Sequence, residues 1–222
     1  MKKDFWLERW DRGEIGFHQD EVNPYLIQFW QELHLARDSP VFVPLCGKTR
    51  DMPWLREQGY QVLGVELSTI AVQAFFKESG YSPQHVRKGK FDHYDAEGIR
   101  ILCGDFFDLG KDDLANVGAV YDRASLIALP PEMRVRYVRH LVGILPPATQ
   151  ILLITVDYPQ TEMQGPPFSV TSSEVELLYR DYAEVRLLAQ LDVLANNLRF
   201  RERGMTRLNE NIFLLKLCQS DR

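Results

Sequence analysis

Apolar and polar positions along the chain alternate between short β-branched runs and stretches of helical period. Val41-Phe42-Val43-Pro44-Leu45 is an apolar run of strand length that ends in the turn Cys46-Gly47-Lys48. A helix-length segment follows from Asp51 to Gln58, closed by Gly59 as its C-cap. The next apolar run, Val62-Leu63-Gly64-Val65, ends in an acid, Glu66. Strand, glycine turn, helix, strand, acid is the opening half of a doubly wound nucleotide-binding sheet. In such a sheet the ligand sits outside the carboxyl ends of the strands, and the acid ending the second strand accepts hydrogen bonds from ribose hydroxyls.

The remaining pattern supplies walls and a cover for that crevice. Residues 4–18 carry Trp6 and Trp10 at i, i+4 on a short helix, broken by Gly13 and Gly16 before Phe17-His18. Tyr25, Leu26, Phe29, Trp30 and Leu33 give residues 21–35 a helical period. A helix over 70–79, capped by Ser68 or Thr69, follows the second strand. Residues 84–98 are polar and mixed, an insertion with a hairpin through Phe91 to Tyr94. Strands are expected at 100–103 and 117–123, a helix from Pro130-Pro131 to Gly143, and a doubly buried strand at 150–156. A loop over 157–168, a helix capped by Ser172 or Ser173 and reaching Tyr179, and strands at 183–192 and 211–217 complete the chain. The fold class is α/β: a doubly wound, Rossmann-like sheet, mostly parallel, with an antiparallel strand at the C-terminal end and helices on both faces. The 222 residues read as a single domain, with 1–38 an N-terminal helical cover and 39–222 the catalytic sheet.

Composition narrows the function. With 45% hydrophobic and 26% charged residues the chain has the make-up of an ordinary globular protein. A net charge of −5 provides no basic surplus for phosphates, which argues against a general nucleic-acid binder. The three cysteines, Cys46, Cys103 and Cys218, are widely spaced and include no Cys-x-x-Cys pair, so they fit a reducing compartment and neither a disulfide framework nor a zinc site. No apolar region follows the basic residues at the start, and no run approaches the roughly eighteen apolar residues of a membrane span. A cytoplasmic, monomeric protein is expected.

The glycine pattern selects among nucleotides. Gly47-Lys48-Thr49 ends like a P-loop, but that motif needs a further glycine where Phe42 stands. The Gly-x-Gly-x-x-Gly of dinucleotide sites is missing as well, so a pyrophosphate cannot approach the turn closely. A ligand with a ribose and no phosphate at that point is left, and S-adenosylmethionine meets the description. Glu66 would bond its ribose, Phe106 would lie near the adenine, and Asp105 would bond the exocyclic amine. The plainer alternatives are a solvated carboxylate at Glu66 and simple core packing of Trp6 and Trp10.

Several blocks are more specific than the fold. Phe5-Trp6-x-x-Arg9-Trp10-x-x-Gly13-x-Ile15-Gly16-Phe17-His18, Val43-Pro44-Leu45-Cys46-Gly47-Lys48-Thr49-x-Asp51-Met52 and Gly64-Val65-Glu66-Leu67-Ser68 come first. Gly104-Asp105-Phe106-Phe107, Tyr121-Asp122-Arg123-Ala124 and Gly165-Pro166-Pro167-Phe168 follow. In these blocks, which span nearly the whole chain, the sequence resembles the thiopurine S-methyltransferases, particularly the bacterial members. The resemblance implies that Trp10 flanks the cofactor, that Leu45 contacts it, that Glu66 binds its ribose and that Asp105 and Phe106 meet its adenine. It places Arg123 between cofactor and substrate, makes Trp6 and Phe17 parts of the cover, and assigns Arg199 to the substrate pocket.

The expected reaction is methyl transfer from S-adenosylmethionine to the sulfur of a small aromatic or heterocyclic thiol, by in-line displacement. Selenium or tellurium species are further acceptors by resemblance. Such a reaction asks mainly for orientation and exclusion of water, because a thiol ionises far more easily than an alcohol. Arg123 is the electrostatic candidate, with a structural ion pair to Asp122 or a nearby acid as its plainer role. His18 reads as a structural histidine and Cys46 as a buried small residue. No metal is expected. A non-catalytic S-adenosylmethionine-binding sensor is the alternative function.

Overall fold

The computed structural model describes residues 3–218. In chain order it has α1 (Lys3–Asp11), α2 (Pro24–Phe29), β1 (Pro40–Val43), α3 (Asp51–Glu57), β2 (Gln61–Glu66), α4 (Thr69–Glu78), β3 (Gln84–Lys88), β4 (Phe91–Ala96) and β5 (Ile99–Cys103). Then come β6 (Ala119–Asp122), α5 (Pro131–Ile144), β7 (Gln150–Asp157), α6 (Ser172–Tyr179), β8 (Ala183–Asp192), α7 (Leu198–Glu202) and β9 (Asn209–Leu217). The strands form one sheet in the order β3-β4-β5-β2-β1-β6-β7-β9-β8. β5, β2, β1, β6 and β7 are parallel neighbours. β4 and β9 run against them, one toward each edge, so the antiparallel strand expected at the C-terminal end has a counterpart at the other edge.

That counterpart is the segment read as an insertion. Gln84–Lys88 and Phe91–Ala96 pair as a hairpin and add to β5, with Phe91 and Tyr94 turned into the core while Gln84 to Lys88 form an exposed edge. Its polar composition hid the strands because an edge strand buries so little of itself.

Alternation along the strands separates two apolar layers. Val41, Val43, Ile101, Tyr121 and Ile154 face Leu26, Trp30, Met52, Leu55, Val72 and Phe75, that is, α2 with the turn after it, α3 and α4. Phe42, Val65, Leu102, Val120 and Leu153 face Tyr137, Val138, Leu141, Val175 and Tyr179 of α5 and α6. Local chemistry starts these helices. The Asn23 side chain accepts from the amides of Tyr25 and Leu26 ahead of Pro24, Ser68 accepts from Ala71, and Thr171, one residue before the expected serines, accepts from Glu174. The helix expected over 21–35 ends at Phe29. A 3-10 turn, Trp30–Leu33, buries both its end residues, and His34 at φ 48° stops it.

Chain order reverses beside β1, which pairs with β2 on one side and β6 on the other. The crevice of a doubly wound sheet opens at the carboxyl ends of those strands. There Leu45 takes φ 45° and Gly47 φ 53°, so the chain turns sharply away from β1. Among the described residues no helix is long and apolar enough to cross a membrane.

Gly64, in the middle of β2, is required by close packing: a Cβ there would lie 2.7 Å from Cys46 Sγ and 3.2 Å from Met52 Sδ. Gly64→Ala is expected to lower stability by about 1–3 kcal/mol through overpacking, read as a lower urea midpoint. A midpoint equal to wild type would show that the α3 side of β2 is loosely packed.

Candidate active site

Glu66 ends β2 with its side chain buried. One carboxylate oxygen accepts the Gly47 amide at 2.9 Å and the other the Ser68 amide at 2.8 Å. Burial pushes its pKa up, and the backbone donors pull it back toward the charged form. These two bonds tie the turn after β1 to the start of α4 and fix the carboxylate at the crevice. Each oxygen keeps acceptor capacity for a further donor, which suits a vicinal diol such as a ribose.

The N-terminal aromatics lie against the same turn. A Cβ on Gly47 would come within 3.3 Å of the Trp10 ring. Phe17 meets the edges of both Trp6 and Trp10, at centroid distances of 5.5 Å and 5.7 Å, and Trp6 meets Phe5 at 5.3 Å. Trp10 is buried and Phe17 is exposed, so the cluster has an inner and an outer side. His18 lies beside Asp20, and burial together with the nearby Lys48 lowers its pKa, which keeps it neutral.

Beyond β5, Asp105 caps a 3-10 turn by accepting the Phe107 amide at 3.0 Å. Its other oxygen pairs with Lys3 at 2.5 Å, which ties α1 to this strand end. Phe106 is at the expected place in the chain, but its ring is buried against Tyr137 and His140. Its carbonyl lies 3.2 Å from His140 Nε2.

Arg123 follows β6. Its partner is Asp51, at 3.2 Å from Nε, and not Asp122. Asp122 points to the other face of the sheet, where it accepts the Tyr137 hydroxyl at 2.6 Å and the Ser125 amide at 3.1 Å. Asp51 also accepts the Tyr121 hydroxyl at 3.0 Å and the Asn23 amide at 2.8 Å. One buried carboxylate therefore joins α3, β6, the segment leading into α2 and the arginine. Sequence reading gave Asp51 no role, although it stands in one of the family-specific blocks and in the first turn of a helix. It passed over Glu210 and Tyr25 as well, which meet through β9 and α2.

Arg199 lies on α7, and nothing of its side chain belongs to the described structure. The loop through Gly165-Pro166-Pro167-Phe168 is fixed by the Phe168 amide on the Ile127 carbonyl at 2.7 Å and by the Tyr158 hydroxyl on the Pro167 carbonyl at 2.6 Å. Cys46 and Cys103 are free and buried, and burial pushes both thiols up, so Cys46 is no thiolate nucleophile. Among the described residues no group of three His, Cys, Asp or Glu side chains can hold a metal. A surface groove lined by Asp20, Arg50, Trp54, Glu57, Glu78 and Tyr81 contains none of these strand-end residues.

The family model described as thiopurine S-methyltransferase matches residues 1–217. Curated relatives named thiopurine S-methyltransferase include one from Nitrosospira multiformis, 65% identical over 97% of this chain and 98% of its own. Another, from Pseudomonas fluorescens, is 49% identical over 97% of this chain and 99% of its own. Among solved structures, Burkholderia thailandensis 1,6-didemethyltoxoflavin-N1-methyltransferase, bound to S-adenosylhomocysteine, superposes with a TM-score of 0.65 at 15% identity, over 98% of this chain and 87% of that one. An S-adenosylmethionine-dependent methyltransferase from Anabaena variabilis gives 0.64 at 15% identity, over 97% and 94%. At that identity the two structures speak for the fold alone. With a family match over nearly all of its length, close relatives of the same name and the methyltransferase sheet beneath it, this chain belongs to the thiopurine S-methyltransferase family, enzymes that take their methyl group from S-adenosylmethionine.

Proposed function

We propose that the protein transfers the methyl group of S-adenosylmethionine to the sulfur of a small aromatic or heterocyclic thiol. The observation that carries this reading is the pairing of strand-end groups across the switch point: Glu66 held for a diol beside Gly47, and Arg123 held by Asp51. When bound, the cofactor supplies a methyl group on a sulfonium, so the leaving sulfur needs no protonation. The protein's task is then to bind, align and keep water out.

Glu66 accepts from the ribose, Leu45 lines the turn, and Asp105 with the Phe106 backbone takes the adenine. Trp10 covers the cofactor. Trp6 and Phe17 form the acceptor side of an N-terminal lid, and Arg199 belongs to the same pocket. Arg123 favours an anionic sulfur in the acceptor, because a fixed guanidinium lowers the cost of that charge. Selenium and tellurium species are acceptors of the same soft, polarisable kind. The chain acts as one domain, as a monomer, in the cytoplasm, and on small molecules alone. A sensor that bound S-adenosylmethionine without turnover would keep Glu66 and have no use for the aromatic-lined lid.

Labelled methyl transfer to a thiopurine tests the proposal, and cofactor binding without product on any thiol or selenium acceptor would move the sensor reading ahead. Glu66→Ala is expected to weaken cofactor binding by about 1–3 kcal/mol in calorimetry, from the loss of charged hydrogen bonds. Unchanged affinity would remove Glu66 from the ribose site. Arg123→Lys is expected to lower kcat more than it raises the cofactor Kd, since an ammonium cannot keep the guanidinium's geometry on Asp51. Wild-type values for both would leave Arg123 a purely structural cation. Asp51→Asn, which keeps the size of the side chain, is expected to reproduce the kcat loss of Arg123→Lys in part. Full activity would show that Asp51 does not position the arginine.

A further inference from the structure

We propose that Glu210 is the proton acceptor for acceptors that reach the site as protonated thiones, a role that rests on the thiol-methylation reading above. Glu210 lies on β9 opposite Val156 of β7 and Leu191 of β8, near the ends of β7 and β9 that face the crevice. Alternation puts it on the same sheet face as Ile212, which packs in the α2 layer with Tyr121. Arg123, just past the end of β6, reaches that face as well, because it pairs with Asp51, which also accepts the Tyr121 hydroxyl. The Tyr25 hydroxyl, on α2, lies against the Glu210 carboxylate, and the Arg123 charge acts on it.

What separates Glu210 from the other strand-end acids is what they are bound to. Asp51, Asp105 and Asp157 are each paired with a cation: Arg123, Lys3 and Arg207. Glu66 is held by two backbone amides, and Asp122 by a tyrosine hydroxyl and an amide. Among the described residues Glu210 has no ion pair, and the group against it is the neutral Tyr25 hydroxyl. Burial raises its proton affinity, while Tyr25 and the more distant Arg123 act against the rise. Val156 and Leu191 add no charge. A base whose conjugate acid lies above the ordinary carboxylate range is better matched to work near neutrality. Neither neighbour can take the proton. The guanidinium stays charged, and Tyr25, with its own pKa raised by burial and by Glu210, remains a donor.

A thiopurine near neutrality carries its proton on a ring nitrogen of an N–C=S unit, where it holds back the sulfur's electrons. In the proposed step the sulfur-to-methyl bond forms as the methyl-to-sulfonium bond breaks, and that electron pair stays on the departing sulfur, giving S-adenosylhomocysteine. The ring N–H proton passes to the Glu210 carboxylate. The cationic donor and the anionic carboxylate thereby become a thioether and a neutral acid, and the methylated product leaves uncharged. An acceptor that is already a thiolate needs no such base.

Glu210→Gln keeps an oxygen for the Tyr25 hydroxyl and removes the basicity, so it separates proton transfer from the anchoring of α2. With a thiopurine below its own ionisation, kcat/KM is expected to fall about 100-fold, the scale of a lost general base. The acidic limb of the wild-type pH profile should disappear, and raising the pH through the acceptor's ionisation should restore the rate. With 4-nitrobenzenethiolate, an anion throughout the assay range, the variant should stay close to wild type. Infrared titration of the protein without ligands gives a second reading. The difference between wild type and variant should contain one carboxyl C=O band titrating above the ordinary carboxylate range, apart from the bands of the buried Glu66 and Asp122, which both proteins keep. Equal losses on both acceptors, no loss on the thiopurine, or no difference band would overturn the role of Glu210 while leaving the methylation reading in place. A wild-type enzyme inactive on both acceptors would contradict that reading, and the role of Glu210 with it.

Discussion

The buried carboxylate of Asp51 is the interaction that ties the N-terminal segment to α3 and to the end of β6. It receives a backbone amide from Asn23, a hydroxyl from Tyr121 and the guanidinium of Arg123. A charge in that position is tolerable only because every side of it is answered, and removing one partner would leave the others unsatisfied in a medium that cannot solvate them. The same bonds hold the entry to α2 against the sheet. Since α2 also carries Tyr25, the geometry around Arg123 and Glu210 is set by how the N-terminal segment docks.

At the end of β2 Glu66 has the corresponding place, but the physics differs. Its partners are backbone amides, which only a change to proline removes, and they hold the turn at Gly47, against which the Trp10 ring lies. Lys3 on Asp105 adds a tether from the first turn of α1 to the end of β5. That tether is exposed on the lysine side, so it contributes little to stability and is readily exchanged for another donor. An exchangeable contact is what an N-terminal segment needs if ligands enter beneath it.

Much of this was legible in the residues. The run from Val41 to Leu45, the acid at Glu66 and the missing glycines pointed to the doubly wound sheet and to S-adenosylmethionine, because each is a local signal of backbone or strand-end chemistry. The edge hairpin was legible only as a polar insertion, since β3 is exposed along its whole length and shows no alternation. Phe106 was placed correctly in the chain, but whether its ring faces ligand or core depends on packing against Tyr137, far away in sequence. The roles proposed for Asp51 and Glu210 could not be read locally. Their meaning comes from partners on other elements, Arg123 and Tyr25, which the fold alone brings together.

The most direct test of the account is where the methyl group goes. The protein would be incubated with S-adenosylmethionine carrying a carbon-13 methyl and with a thiopurine, and the product read by NMR. A single S-methyl signal is expected, with the ring nitrogens unmethylated. Methyl on nitrogen, or none on the thiopurine or on any other thiol while the cofactor binds, would contradict it.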